Sequence, residues 1–440
     1  MNGMTKFQLI LTGVFAFFII AGIFVFAFAR PGGGPKVPIS VWGPIPQATV
    51  SRLLMNLPLG KSKEVSVNYT YVKETDFDTK FIEALASGKG PDVVLVSQEN
   101  FLKHRDKLIQ VPYSSYSERT FKDTFAENGE LFLDEGGIYA FPLTIDPLVM
   151  YWNRDIFTSS GIANPPAFWD EFYELSKKLT LKDGALNVTR PTISFGEYSN
   201  VTNAKGILSA LMLQAGTPIV RKNNQTFSSY LTLPGQTNDV RNEQTPAISA
   251  VNFYTEFSNA AKPHYSWNRS LKDSQTVFLA GDLAVYVGHA SELPFLKLKN
   301  PNLNFDVAPL PQSRNASGGR NTTFGRIQGL AVVRATKNSS AAFTVISGLM
   351  NKDAALAISE AVSVPPARRD LLSIKQNDAY KSVFYQSALW SKAWLDPDSS
   401  KTSRIFQDMI ESITGGRERT GEAVSRADNE LKNLLGGIPR

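Results

Sequence analysis

The chain of 440 residues contains no cysteine. That excludes disulfides, thiolate metal sites, cysteine nucleophiles and a lipid-modified N-terminal cysteine as membrane tether. Histidine is almost as scarce. His104, His264 and His289 lie far apart without H-x-x-x-H spacing, which argues against a histidine metal site. Also missing are G-x-G-x-x-G, G-x-S-x-G and H-E-x-x-H. Gly60-Lys61-Ser62 resembles the end of a phosphate-binding loop, but that motif needs glycine where Met55 stands. No basic block interleaved with aromatics is present, so nucleic acid is not an expected partner.

What is present is apolar and nearly charge-balanced. Apolar residues make up 42% and aromatics 11%, ample for packed cores without crosslinks. The net charge of +6 is concentrated at the start, where Lys6, Arg30 and Lys36 face no acid. Residues 37–440 then hold 43 basic against 40 acidic groups. The length exceeds one hydrophobic core, which stops growing at roughly 250–300 residues, so two domains or lobes are expected.

Phe7–Ala29 is 23 residues without a charge, and a bilayer span needs about 20. The length favours an uncleaved single-pass anchor over a signal peptide, although Ala27-Phe28-Ala29 also fits a cleavage pattern. The spacer Pro31–Pro35 and the large balanced domain after it place the globular part on the extracytoplasmic side of the cell membrane.

From residue 37 onward strands alternate with helices. Val37–Trp42 and Val65–Val72 read as strands; Phe77, Phe81, Ile82 and Leu85 recur at helical spacing with Thr75 as cap; Val93–Val96 is a continuous apolar run. Strand, helix, strand is a βαβ unit, and the pattern predicts an α/β fold. Further strands are expected at Leu283–Val287, Phe305–Leu310 and Gly329–Val333, with Ser313–Thr323 a loop. Two C-terminal helices carry apolar stripes through Phe406–Ile413 and Val424–Leu434. Val364-Pro365-Pro366-Ala367 is a rigid extended link.

Gly136–Phe157 is the most informative stretch. Its apolar runs Ile138–Phe141 and Leu148–Trp152 flank Thr144-Ile145-Asp146-Pro147, predicting strand, polar kink and strand. This is either a hairpin or a crossing between lobes. Acids at strand ends, Glu99, Asp146 and Glu292, are hydrogen-bond acceptors for ligand hydroxyls or, paired, a glycosidase acid and nucleophile. His289 reads as a loop residue or a base. Trp42, Trp390 and Trp394 read as sugar-stacking or core residues. Eight Asn-x-Ser/Thr sites, at Asn68, Asn187, Asn200, Asn224, Asn268, Asn315, Asn321 and Asn338, fit chance in a Ser/Thr-rich chain.

In order and spacing these landmarks resemble the extracellular solute-binding proteins of family 1, the maltose-binding type. The resemblance is carried by Pro91–Val96, Gly137–Pro142 with Tyr151–Phe157, Pro165-Pro166 with Phe168–Phe172, Phe278–Val285, Ala308–Pro311, Val364–Ala367 and the helix 420–434. It implies a two-lobe periplasmic-binding-protein-like fold of type II with hinge crossings. Lobe 1 would hold 37–144 and 312–364, and lobe 2 148–307 and 367–440. It implies ligand contacts at Trp42 and Gly43, Ser97, Gln98 and Glu99, Thr144 and Asp146, Asn200 and Asn203, His289 and Ser291, with Gln328 and Trp394 further candidates. It also implies a monomer without cofactor or reaction that binds a sugar and docks on the permease subunits of an ABC importer. Two departures stand out. No aromatic follows Gly288, and the anchor segment replaces the lipidated cysteine. The rivals are a membrane-anchored glycoside hydrolase using Asp146 with Glu99 or Glu292, and an anchored ligand sensor.

Overall fold

The computed structural model describes residues 35–223, 226–232, 245–314 and 319–438. The expected anchor Phe7–Ala29 and the sites at Asn224 and Asn315 lie outside them. Among the described residues no single helix is long and apolar enough to cross a bilayer.

Val37–Gly43 (β1) lies parallel to Val65–Tyr71 (β2) and to Val93–Ser97 (β3). The helix Glu74–Ala86 makes the crossover between β2 and β3, burying Phe77 and Phe81 as its spacing predicts. Its cap differs from expectation. Lys73 occupies the N-cap position without a side-chain bond, and Thr75 bonds to Asp76 instead. Glu74 and Asp76 in the first turn complement the helix dipole.

Gly136–Phe157 contains neither hairpin nor kink. After the short strand Gly137–Ile138, one unbroken strand runs from Phe141 to Asn153 (β4). Its first half pairs antiparallel with Thr323–Val332 (β7), and β7 pairs onward with β3. Its second half lies between Val285–His289 (β5) and Phe305–Pro309 (β6). The ladder β2-β1-β3-β7-β4 therefore forms one lobe's sheet and β5-β4-β6 the other's, with β4 common to both. β7 starts in the segment expected as loop and is longer than the Gly329–Val333 strand predicted.

The free edge of the first half of β4 is covered by the proline link. Ile145 donates its N–H to the Pro365 carbonyl at 2.9 Å, and Ala367 donates to the Leu143 carbonyl at 3.0 Å. Proline has no N–H to leave unpaired, so its carbonyls can serve a strand edge at no cost in orphaned donors. Three segments thus run side by side where the lobes meet: β4, the start of β7 and 364–367.

Each sheet is covered by helices. Ser339–Met350 packs on β1, β2 and β4, and Ala379–Trp390 on β4 and β6. The C-terminal pair Ser399–Thr414 and Thr420–Gly436 packs together and against Pro246–Glu256, burying Phe406, Met409, Ile410, Val424 and Leu431. Gly206, in the helix Ala204–Gln214, sits so close to the crossings that a Cβ there would lie 3.3 Å from both Leu148 and Phe324. Ile145 is fully buried at the crossing. Ile145→Ala should destabilise the protein by about 2–5 kcal/mol, the usual cost of such a cavity, read as a lower urea midpoint.

Candidate ligand-binding site

Alternation along a strand aims residues two apart at the same side. On β7 this aligns Phe324, Arg326 and Gln328, while Ile327 between them is fully buried. On β4 it aligns Thr144 with Asp146, and Asp146 stands opposite Arg326 in the ladder. These side chains floor a cleft composed of two cavities that share Arg326. One, of about 460 Å³, has Thr144, Asp146, Gln328, Ser291 and Glu74 in its wall, with Tyr71 and Pro44–Pro46 at its apolar side. The other, of about 500 Å³, is bordered by Glu99, Tyr198, Asn203, Lys205, Phe324 and Ser403 among others.

Arg326 is the largest feature that the sequence reading missed. Its side chain is 45% exposed, and the nearest carboxylate oxygen is Oε1 of Glu99 at 3.9 Å. Among the described residues its guanidinium makes no hydrogen bond to a protein acceptor, so its donors face the cleft. Burial disfavours the charge, but Glu99, Asp146 and Glu74 outweigh it and raise the guanidinium's pKa further. The signal was present as the alternation Phe324, Arg326, Gln328 within a run of apolar and glycine residues.

Asp146 is held from the other side. Its Oδ1 accepts from the Ser291 N–H at 3.0 Å, and its backbone carbonyl lies 3.0 Å from Nδ1 of His289. Burial dominates its titration and pushes its pKa up to about 6, against the lowering by Ser291 and Arg326. Glu99 behaves oppositely. Burial would raise it, but Lys205, Arg326 and the Ser399 hydroxyl at 2.9 Å hold it below the usual carboxylate range.

Glu292 is committed to structure. It accepts from Asn203 Nδ2 at 2.7 Å, Gln275 Nε2 at 2.7 Å, Tyr286 Oη at 2.5 Å and the His289 N–H at 2.8 Å. This network pins Asn203, whose backbone is left-handed at φ 64°. Lys205 is likewise anchored, by an ion pair with the buried Asp396 and by Ser399 Oγ at 3.2 Å. Tyr198 donates to or accepts from Ser403 at 2.8 Å, and burial raises its phenol to about 12.

Of the residues expected to contact ligand, the structure brings Thr144, Asp146, Ser291 and Gln328 to the first cavity and Glu99 and Asn203 to the second. The others lie elsewhere. Gln98 is buried, its Oε1 accepting from the Ile327 N–H at 2.8 Å to brace β7. His289 is buried behind Asp146, and burial, with help from Arg326, keeps its imidazole neutral. Trp394 is a core residue, stacked on Phe406 with its indole N–H donated to Ser209 at 3.0 Å. Asn200 is spent on the carbonyls of Asn268 and Leu271 and on the Trp267 indole. Trp42 packs against the core from β1, and Gly43 is buried where a Cβ would meet Leu95 at 2.9 Å. Ser97 serves a turn, accepting from the Glu99 N–H.

A family model for bacterial extracellular solute-binding proteins matches residues 59–355. The chain belongs to this family. Among its relatives is a Brucella abortus (strain 2308) protein named as a binding protein, 25% identical over 299 residues. That match covers 66% of this chain and 65% of the relative's length. The maltodextrin-binding protein MdxE of Bacillus subtilis (strain 168) is 22% identical over 392 residues, covering 84% of this chain and 86% of MdxE. In fold the chain is similar to the sugar-binding protein MalE of Xanthomonas citri, with a TM-score of 0.71 at 17% identity. The alignment covers 91% of this chain and 98% of that one. Such solute-binding proteins share the mixed α/β two-lobe fold described above.

The titration of Asp146 has a stability consequence. Its native pKa of about 6 lies above the ordinary 3.8, so between about pH 4 and 6 the folded state binds the proton more readily than the unfolded chain. The stabilisation is complete below pH 4 and is lost as pH rises through 6, a change of about 3 kcal/mol at most. Asp146→Asn should flatten this part of the pH profile of unfolding free energy and stabilise the unliganded protein at pH 7.

Proposed function

We propose that this chain is the substrate-binding component of an ABC importer, capturing a carbohydrate by closure of its two lobes. The observation that carries the reading is the polar cleft floor at the lobe crossings, where Thr144, Asp146, Arg326 and Gln328 are presented by β4 and β7. A sugar bridging the lobes would satisfy these groups and shift the population toward a closed form that permease subunits recognise. The family membership and the sugar- and maltodextrin-binding proteins among the similar chains support a carbohydrate.

The lobe division that goes with this reading is 37–144 with 312–364, and 148–307 with 367–440. Phe7–Ala29 is its membrane anchor, which would hold the monomer's cleft on the extracytoplasmic side near the permease. The arrangement favours binding over hydrolysis. Glu292 already accepts four hydrogen bonds, and Glu99 and Asp146 border different cavities with Arg326 between them.

Calorimetric titration with malto-, arabino- and manno-oligosaccharides should give saturable binding, with no release of reducing sugar on prolonged incubation. Asp146→Ala should lose about 10–100-fold in affinity, the worth of a charged hydrogen bond, with circular dichroism unchanged. A folded wild type that binds none of these probes would overturn the reading.

A further inference from the structure

We propose that the end of lobe 1 where β1 begins is an electrostatic membrane-docking face, which rests on the anionic phospholipid headgroups of the bilayer that holds the anchor. The inference rests on the reading of Phe7–Ala29 as a membrane anchor and concerns a surface remote from the cleft. Three observations carry it.

The first is where the chain enters the fold. Only seven residues, Arg30–Lys36, separate the apolar stretch from β1, and even fully extended they reach about 25 Å at most. The start of β1 is therefore kept within that distance of the headgroups. The cleft lies at the other end of the same strand, since Pro44, next after β1, is in the wall of the first cavity. β1 has seven residues, a length of about 23 Å, so lobe 1 can sit on the bilayer with its cleft clear of it.

The second is charge. β1, β2 and β3 are parallel and β7 is antiparallel to β3, so the starts of three strands and the end of the fourth share one end of the sheet. Lys36 precedes β1, Lys61 and Lys63 precede β2, Lys89 precedes β3, and Arg334 and Lys337 follow β7; all six are exposed. Backbone bonds hold these segments in place: the Val37 N–H donates to the Glu64 carbonyl at 2.8 Å, and the Arg334 N–H to the Lys107 carbonyl at 2.8 Å. Neighbouring strands lie about 5 Å apart, so the four strand ends make a face roughly 15 Å wide. Among the described residues none of the six cations has a carboxylate partner, whereas Lys80, Lys122 and Lys177 elsewhere are paired with Asp76, Glu118 and Glu174. The acids at this end are fewer and partly engaged. Glu64 and Glu83 are exposed, Asp106 is paired with Lys107 at 2.8 Å, and Asp92 accepts from the Ser40 N–H at 2.9 Å and from the Thr336 hydroxyl. Residues 37–440 carry nearly equal numbers of basic and acidic groups, so the excess belongs to this face.

The third is apolar. Met55, 68% exposed in the last turn of the helix Gln47–Asn56, lies at the same end, because that helix leaves the cleft end of β1 and leads through Pro58–Lys61 to the start of β2. Unpaired cations around an apolar side chain suit an anionic interface. Each Lys or Arg near such a surface strengthens attachment by about fivefold, and salt screens the effect. Contact of this kind orients the lobe on its short tether.

The test places the full chain in vesicles of phosphatidylcholine alone, or of two parts phosphatidylcholine to one of phosphatidylglycerol, and follows acetylation of individual lysines by mass spectrometry. Acetylation of Lys61, Lys63, Lys89 and Lys337 should slow at least 5-fold on the anionic vesicles relative to the neutral ones, and recover at about 1 M salt, where the Debye length is about 3 Å. Lys178 and Lys262, exposed on lobe 2, should react equally on both. Combining Lys61→Gln, Lys63→Gln and Lys337→Gln should remove the protection of Lys89, and a melt reports folding. Equal acetylation of the four lysines on the two kinds of vesicle, or undiminished protection of Lys89 in the folded triple variant, would overturn this inference alone. So would protection by soluble poly(glycerol phosphate) with none on anionic vesicles, which would make an anionic polymer the occupant. A full chain washed from both kinds of vesicle by alkaline carbonate would overturn the anchor reading, and this one with it.

Discussion

The strand Phe141–Asn153 belongs to two sheets at once, and that dual membership is the constraint on which the rest depends. Its first half is hydrogen-bonded to β7 and to the carbonyl of Pro365, its second half to β5 and β6. A strand needs partners along its length, because unpaired backbone groups are costly once buried. β4 obtains them from one lobe and then from the other, which places the handover near Asp146-Pro147. Relative motion of the lobes must then be absorbed by few backbone torsions at the crossings, the property of a hinge.

Because the handover is also the floor of the cleft, the site inherits its electrostatics from the fold. Asp146 stands opposite Arg326 in the same ladder, and Ser291 reaches the carboxylate from the segment after β5. The Asp146 carboxylate therefore feels the charge of Arg326 from one sheet and the N–H of Ser291 from the other side. Arg326, half exposed in the cleft, keeps its charge with Glu99, Asp146 and Glu74 around it. Groups held this way are arranged before ligand arrives, so less of the binding energy is spent on ordering them.

The structural residues behind the site explain why similar side chains take different roles. Glu292, Asn203 and Tyr286 bond to one another and leave little capacity for a ligand beyond what Asn203 can offer. Gln98 looks like a cleft residue by position, next to Glu99, yet it points inward because its Oε1 meets the Ile327 N–H. His289 and Trp394 turn inward for the same reason: each finds a buried partner, Asp146 in one case and Ser209 with Phe406 in the other.

The family was legible from the order of motifs such as Pro91–Val96 and Val364–Ala367, and local pattern was enough for the α/β alternation, the βαβ unit through Val93–Ser97 and the helix stripes at the C-terminus. These rest on periodicities of two and 3.6, which depend only on neighbours in the chain. The place of Asp146 at the cleft floor was legible for a similar reason, since a carboxylate among apolar residues and prolines has few structural roles. Tertiary structure alone decided that Thr144–Pro147 continues a strand, because its hydrogen-bond partners come from residues 323–332 and 364–367, far along the sequence. It alone made Arg326 the centre of the cleft, because the guanidinium's meaning lies in Glu99 and Asp146, which come from two other strands or their ends. A residue's type and spacing reveal which face it occupies; only the partners across the fold determine whether that face meets core or ligand.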